Sequence, residues 1–255
     1  VGVPVNFSSH NVALPGGTQT LPGQLLVAES GICRVALSAL GLEFGYGPRS
    51  DIRVADLGCL EGGFTAEFAR AGYDATGIEA RQENYGNAVW LKDILGLENL
   101  HFIHGDVREV LPGVSFDAVF CSGLLYHLDA PVAFLNLLGQ VTQRMLILHT
   151  HFSMENGHPE SVHNPTGTWC EPFQSQHEGR TGHWCHEEDD RWASFGNTKS
   201  FWLCKDDLLL SLHEAGFTRV SEVRGPDWHN TARFTTVQGS GGAFPDHGMF
   251  VAVKP

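Results

Sequence analysis

Positive charge is what this 255-residue chain has least of. Lys and Arg number 16 against 29 Asp and Glu, giving a formal net charge of −13, and charged residues make up only 18% of the chain. Tracking a phosphate backbone requires clustered Lys and Arg that release counterions. No such cluster occurs, so a nucleic-acid partner is not expected. There is no apolar run approaching the roughly 18 residues of a spanning helix, and no signal peptide, so the expectation is a soluble, cytoplasmic chain with no membrane partner. It opens on Val1 rather than Met, as a trimmed product or an excised domain would. Cysteine is sparse: six residues, scattered, with no CxxC pair. Cys59 and Cys121 fall in elements expected to be buried, which suits reduced thiols. The pyrophosphate-seating GxGxxG, the P-loop GxxxxGK[ST] and the metalloprotease HExxH are all missing, which speaks against an NAD-linked oxidoreductase, a P-loop nucleotidase and a zincin.

What is present is an apolar fraction of 42%, enough for a sizeable core, and 30 glycines that fall mostly in turns. The length fits one elaborated domain. Residues 1–23 read as extended segments around a turn at LPGG, and 24–44 carry helical spacing. Strand and helix patterns then alternate: strands at 52–57, 74–80, 100–106, 115–122 and 144–152, helices at 63–72, 82–96 and 131–141. Alternation over short loops implies right-handed crossovers and an α/β fold with a mostly parallel sheet covered by helices on both faces. Residues 153–200 break the rhythm and read as an irregular, lid-like insertion. A helix at 205–216 and strands at 218–224 and 248–255 follow, with an irregular stretch at 225–245 between those strands. The final two strands are expected to make an antiparallel edge. The organisation expected is therefore an N-terminal extension and helix, 1–48, and a domain over 49–255 containing the insertion.

The stretch VADLGCLEGG (54–63) ends the first strand on an acid, Asp56, and bends through Gly58, Gly62 and Gly63, as a backbone does where it approaches a ligand closely. Glu79 ends the second strand and Asp106 the third. Acids at successive strand ends of a parallel sheet suit the hydroxyl and amino groups of a nucleoside. VADLGCLEGGFTAEFA, GIEA, HGDV and FDAVFCSGLLYHLDAP, in that order, resemble the motifs of class I S-adenosylmethionine-dependent methyltransferases, strongly over residues 50–150. The resemblance implies a Rossmann-like fold and S-adenosylmethionine as cofactor. It implies that Asp56 and the loop with Gly58, Cys59 and Gly62 hold the methionine part, Glu79 with Ala80 the ribose, and Asp106 with Val107 the adenine. Cys121 and Ser122 would line the methyl-transfer face. The chain departs from that pattern at Leu60, where the family often has glycine; altered loop detail is expected there.

A methyl acceptor whose nucleophile carries a proton needs a base, and His127, in LLYHLDAP, is the candidate, with Tyr126 shaping the site. Trp169, Trp184, Trp192, Phe195, Phe201 and Trp202 could wall an apolar or aromatic acceptor. His149, His151, His158, His163, His177, His183 and His186, beside Cys170 and Cys185, have the chemistry of metal ligands but no familiar spacing, so a metal ion is the minor reading and polar lid histidines the main one. The leading expectation is methyl transfer to oxygen, nitrogen or carbon of a small-molecule metabolite. A tRNA-modifying methyltransferase, for which HNVALPGGTQTLPG and YHLDAP give a loose likeness, and a non-catalytic cofactor-binding subunit are the alternatives. The oligomeric state is left open, and NTKSFW (197–202) yields no mechanism.

Overall fold

The computed structural model describes residues 6–47, 49–153, 169–187, 193–224 and 247–255. Helix α1 (Gly31–Phe44) starts where the Ser30 hydroxyl accepts a hydrogen bond from Cys33 N, an N-cap that satisfies one of the helix's open donors. There follow β1 (Arg53–Leu57), α2 (Gly63–Arg70), β2 (Asp74–Glu79), α3 (Gln82–Leu95), β3 (Leu100–His104), the single turn α4 (Val107–Val110), β4 (Phe116–Ser122), α5 (Pro131–Val141) and β5 (Thr142–His151). The chain continues through β6 (Trp169–Cys170), β7 (Ser175–His177), β8 (Arg180–His186), β9 (Lys199–Leu203), α6 (Lys205–Glu214), β10 (Arg219–Glu222) and β11 (His247–Val253).

The main sheet has seven strands in the order β10-β11-β5-β4-β1-β2-β3. β1, β2 and β3 run parallel, so their carboxyl ends share one edge, with Leu57 opposite Ile78 and Glu79 opposite His104. The strand interiors are continuously apolar: Val54, Ala55 and Leu57 in β1, and Ala118, Val119 and Phe120 in β4, are buried, as strands covered on both faces require. The expected α/β class is the observed one. The antiparallel edge expected of the final two strands is present: β11 runs antiparallel to both β10 and β5 and lies between them, with β10 outermost at that side of the sheet. The buried Met249, Phe250, Ala252 and Val253 explain that inner position.

Within the stretch expected to be irregular, the described residues form a four-stranded antiparallel sheet, β6-β8-β7 with β9 on β8. Its pattern escaped the sequence because β6 and β7 are only two and three residues long, and because His183 and Cys185 fill inward positions of β8 that aliphatics usually mark. Cys170 and Cys185, candidate metal ligands in the sequence, stand opposite each other in β6 and β8 and form a disulfide instead. Cys59 and Cys121 are buried, as expected, and so is Cys33. Trp192, His158, His163 and the 225–245 stretch lie outside the described residues. Among the described residues no helix is long and apolar enough to cross a membrane.

The chain divides into two compact units, one formed by the described residues up to Phe120, the other by Cys121–Val223 with the described C-terminal residues.

Candidate active site

In the first unit, the carboxyl ends of β1 and β2 bring two carboxylates together. Asp56 is 2% exposed and accepts a 2.6 Å hydrogen bond from Thr65 Oγ1, in the first turn of α2. Burial pushes its pKa up to about 7, against the Thr65 bonds that pull it down and with the charge of Glu79 adding to the rise. Glu79 is equally buried, and its carboxylate is oriented by two backbone donors, Arg81 N at 2.8 Å on Oε1 and Leu60 N at 2.9 Å on Oε2. A carboxylate offers about four acceptor sites, so two remain on Glu79 for hydroxyl donors. Cys59 belongs to the same cluster: burial first, then the charges of Asp56 and Glu79, hold its thiol well above the usual range, so it is inert there.

Asp106 stands two residues beyond β3, and Gly105 N donates to Glu79 O at 3.0 Å, which ties this turn to the end of β2. Its side chain caps α4 through Arg108 N at 2.8 Å and pairs with the Arg108 guanidinium, whose Nη2 lies 2.6 Å away. Partial burial raises its pKa, but the Arg108 bonds and charge together outweigh that and leave it below the ordinary carboxylate value. Val107, the first residue of α4, is buried. Ala80 O accepts a hydrogen bond from His104 Nε2 at 3.1 Å, and Tyr85 stacks on His104 at 5.0 Å.

The glycine bend answers in part to protein neighbours. Gly58, Leu60 and Gly62 all adopt positive φ, 66°, 50° and 79°. Leu60 thus holds a left-handed conformation that glycine adopts without cost, which is the physical content of the departure noted in the sequence. A Cβ on Gly62 would meet Phe102 Cζ at 2.5 Å, and one on Gly63 would meet the His10 ring at 2.7 Å. His10 Nδ1 accepts from Gly63 N at 3.0 Å, capping α2. Glu61, fully buried, accepts from Ser8 N (2.6 Å), Ser9 N (3.0 Å) and His10 N (2.9 Å), binding the N-terminal segment to the loop. Thr65, Glu61 and His10 were not singled out in the sequence. Only the uncommon acid between Leu60 and the glycine pair could have signalled Glu61.

In the second unit, the segment after β4 makes one 3-10 turn, Leu125–His127. His127 is 8% exposed, and its Nδ1 lies 3.0 Å from both oxygens of Glu187. Burial raises the Glu187 pKa, but the hydrogen bond and charge of His127 and the bonds from Ser200 and Ser194 N prevail and keep it below the ordinary value. The Tyr126 ring packs 4.2 Å from His127 and 4.7 Å, edge-on, from His151. His151 in turn stacks between Trp202 (4.9 Å) and His247 (4.4 Å), and His247 lies 4.2 Å from His149. Ser122, at the end of β4, hydrogen-bonds His149 Nδ1 at 2.9 Å, while the preceding Cys121 is fully buried. His177 packs on Trp184 and Phe201, and His186 pairs with Glu171. Phe195 is half exposed. Among the described residues no group of three His, Cys, Asp or Glu is arranged to hold a metal ion.

Residues 55–145 match the methyltransferase domain family. No curated protein matches the chain by sequence. Among solved structures, the N-terminal domain of EvdMO1 with S-adenosylhomocysteine bound is similar over 89% of this chain and 81% of that one, at 22% identity and a TM-score of 0.64. Magnesium protoporphyrin IX methyltransferase from Synechocystis PCC 6803, with S-adenosylmethionine bound, is similar over 88% and 78%, at 18% identity and a TM-score of 0.53. The 1,6-didemethyltoxoflavin-N1-methyltransferase of Burkholderia thailandensis, with its substrate and S-adenosylhomocysteine, is similar over 89% and 79%, at 17% identity and a TM-score of 0.57. The matched stretch runs from β1 into β5 and takes in Asp56, Glu79 and the turn with Asp106, so residues 55–145 carry a methyltransferase-domain match and the chain shares its fold with structures solved with S-adenosylmethionine or S-adenosylhomocysteine bound.

Proposed function

We propose that this chain transfers the methyl group of S-adenosylmethionine to a small-molecule acceptor, with the cofactor held at the carboxyl ends of β1, β2 and β3. The observation that carries the placement is Glu79: a buried carboxylate, fixed by two backbone N–H groups, with acceptor sites to spare. Such a group fits the two hydroxyls of a ribose. Asp56 and the bend through Gly58, Cys59 and Gly62 take the methionine part, where a cationic amino group would favour the charged form of Asp56. Ala80 adjoins the ribose, and Asp106 with Val107 meets the adenine. Asp106 accepts from Arg108 N, Nε and Nη2 on both of its oxygens, so the adenine amino group would share an acceptor with the guanidinium.

When bound, the cofactor supplies an already activated methyl group. The protein's task is then alignment, exclusion of water and removal of the acceptor's proton. Ser122 and Cys121 line the transfer face, His127 is the base, and Tyr126 shapes the acceptor's surroundings. A small acceptor is favoured by the net charge of −13, which opposes a polyanion. The structural relatives named as methyltransferases of magnesium protoporphyrin IX and 1,6-didemethyltoxoflavin also act on small molecules.

The test is calorimetry with S-adenosylhomocysteine on Glu79→Gln and wild type, followed by labelled cofactor offered with separate metabolite and RNA pools. The expected result is binding weakened at least tenfold by the substitution and label in the metabolite pool. Label in RNA would favour a tRNA-modifying enzyme, and label in neither pool a non-catalytic subunit. Unchanged affinity in the variant would remove Glu79 from the cofactor site.

A further inference from the structure

We propose that Glu187 is a positioning residue that makes His127 a proton acceptor at Nε2, and that the methyl acceptor it serves reacts through a hydroxyl group. The inference deepens the reading of His127 as base and rests on it.

The observations concern one short region of the second unit. Both Glu187 oxygens lie 3.0 Å from His127 Nδ1, and the carboxylate side chain is 1% exposed. Ser200 Oγ donates to Oε1 at 2.8 Å and Ser194 N to Oε2 at 3.2 Å, so the acid is oriented by three separate donors. The backbone of His127 is gripped as well: its carbonyl accepts from Ser194 Oγ at 2.8 Å and Asn197 Nδ2 at 2.9 Å. Phe201 N donates to the next carbonyl, that of Leu128, at 2.9 Å. The segment 194–201, which overlaps the NTKSFW stretch (197–202) that yields no mechanism as sequence, is thereby a cradle for one imidazole.

The chemical consequence follows from the tautomer. A charged carboxylate at Nδ1 requires the hydrogen to sit there, and a neutral imidazole then carries its lone pair on Nε2. Among the described residues Nε2 has no hydrogen-bond partner.

A base at Nε2 serves an acceptor whose proton must leave as it attacks. A thiolate or an already neutral amine has no such need, whereas a hydroxyl, whose proton is held far above neutral pH, does, and a hydroxyl is the acceptor proposed. With the cofactor bound, the hydroxyl proton would pass to His127 Nε2 as the oxygen lone pair took the methyl group and the bonding pair stayed on the departing sulfur; the imidazolium, beside Glu187, would then give the proton to water.

Imidazole nitrogen NMR on protein labelled at histidine, without cofactor, reads the tautomer directly; the expected form of His127 is Nδ1–H. In Glu187→Gln that preference is lost, and Glu187→Asp restores part of it. With labelled cofactor and a panel of matched phenols, alcohols, amines and thiols, the wild type is expected to methylate hydroxyl acceptors. Glu187→Gln should lose about 10²-fold in kcat with KM changed little, while still binding S-adenosylhomocysteine. An Nε2–H tautomer in the wild type overturns the proposal, whether or not a panel member is turned over. So does turnover confined to amines or thiols, or an unaltered kcat in Glu187→Gln. If His127→Gln is inactive while Glu187→Gln is not, only the role of Glu187 falls; if both keep full kcat, the base assignment falls with it.

Discussion

Asp56 concentrates the conflict between burial and charge at this site. Its folded pKa of about 7 lies above the ordinary 3.8, chiefly because burial disfavours the carboxylate. The folded state therefore holds this proton more tightly than the unfolded chain. The resulting stability is complete below pH 3.8 and is lost as the pH rises to about 7. Asn keeps an oxygen for Thr65 without the charge. Asp56→Asn should therefore raise the urea-unfolding free energy at pH 8 by about 1–3 kcal/mol, and leave it nearly unchanged at pH 4. A loss of stability at pH 8 would show that the charged form is welcome there. At the neighbouring bend, Gly62→Ala combines a left-handed φ with a Cβ 2.5 Å from the Phe102 ring. Its expected cost in thermal or urea unfolding is about 2–4 kcal/mol. Leu60→Gly, which only relieves a left-handed side chain, should stay within about 1 kcal/mol of wild type. Equal effects of the two substitutions would mean that φ alone, and not the Phe102 contact, fixes the glycine.

At the scale of elements, the N-terminal segment is held to the loop before α2 by one buried acid. Glu61 collects three backbone N–H groups from residues 8–10 and the Ser8 hydroxyl, and His10 closes the arrangement by capping α2. Bonds from N–H groups to a carboxylate are stronger than neutral ones, and removing the acceptor leaves several donors unsatisfied at once. Glu61→Ala should cost about 2–4 kcal/mol and speed hydrogen exchange at Ser9 and His10 while the amides of β1 and β2 stay protected. Exchange at Ser9 and His10 that matched wild type would show that the segment is held by its other contacts. The Glu178 carboxylate does similar work for α5, accepting from Val132 N and Ala133 N at the helix start, where Pro131 itself offers no donor. Glu178 does not stand out in the sequence, and Glu61 does so only by its place before the glycine pair, because a capping role becomes visible only when the distant segment is in place.

Across the whole molecule, what the sequence made legible was periodic and local. Strand and helix periods placed β1 through β5 and α2 through α6, apart from the single turn α4, within a few residues, whereas α1 starts at Gly31 rather than at residue 24; Asp56 and Glu79 were found because they lie at the ends of strands of a parallel sheet. Pairings between distant segments stayed hidden: Glu187 on His127, Cys170 opposite Cys185, and the small antiparallel sheet whose inward positions are a histidine and a cysteine. The position of β11 was hidden for the same reason, since an apolar strand reads alike at an edge and inside. Its inner place makes a firm prediction. β11 shares seven register pairs with β5 and four with β10. Burying Met249, Phe250 and Val253 contributes about 1.5–3 kcal/mol each, together comparable with the roughly 5–15 kcal/mol by which domains are stable. Removal of residues 247–255 should therefore abolish the cooperative urea transition, whereas removal of Lys254 and Pro255 alone should leave it within about 2 kcal/mol of wild type. Had β11 been an edge strand, β10 would keep its place beside β5 and the shortened chain would still unfold in one step. A cooperative transition in the 247–255 deletion would thus overturn the strand order itself.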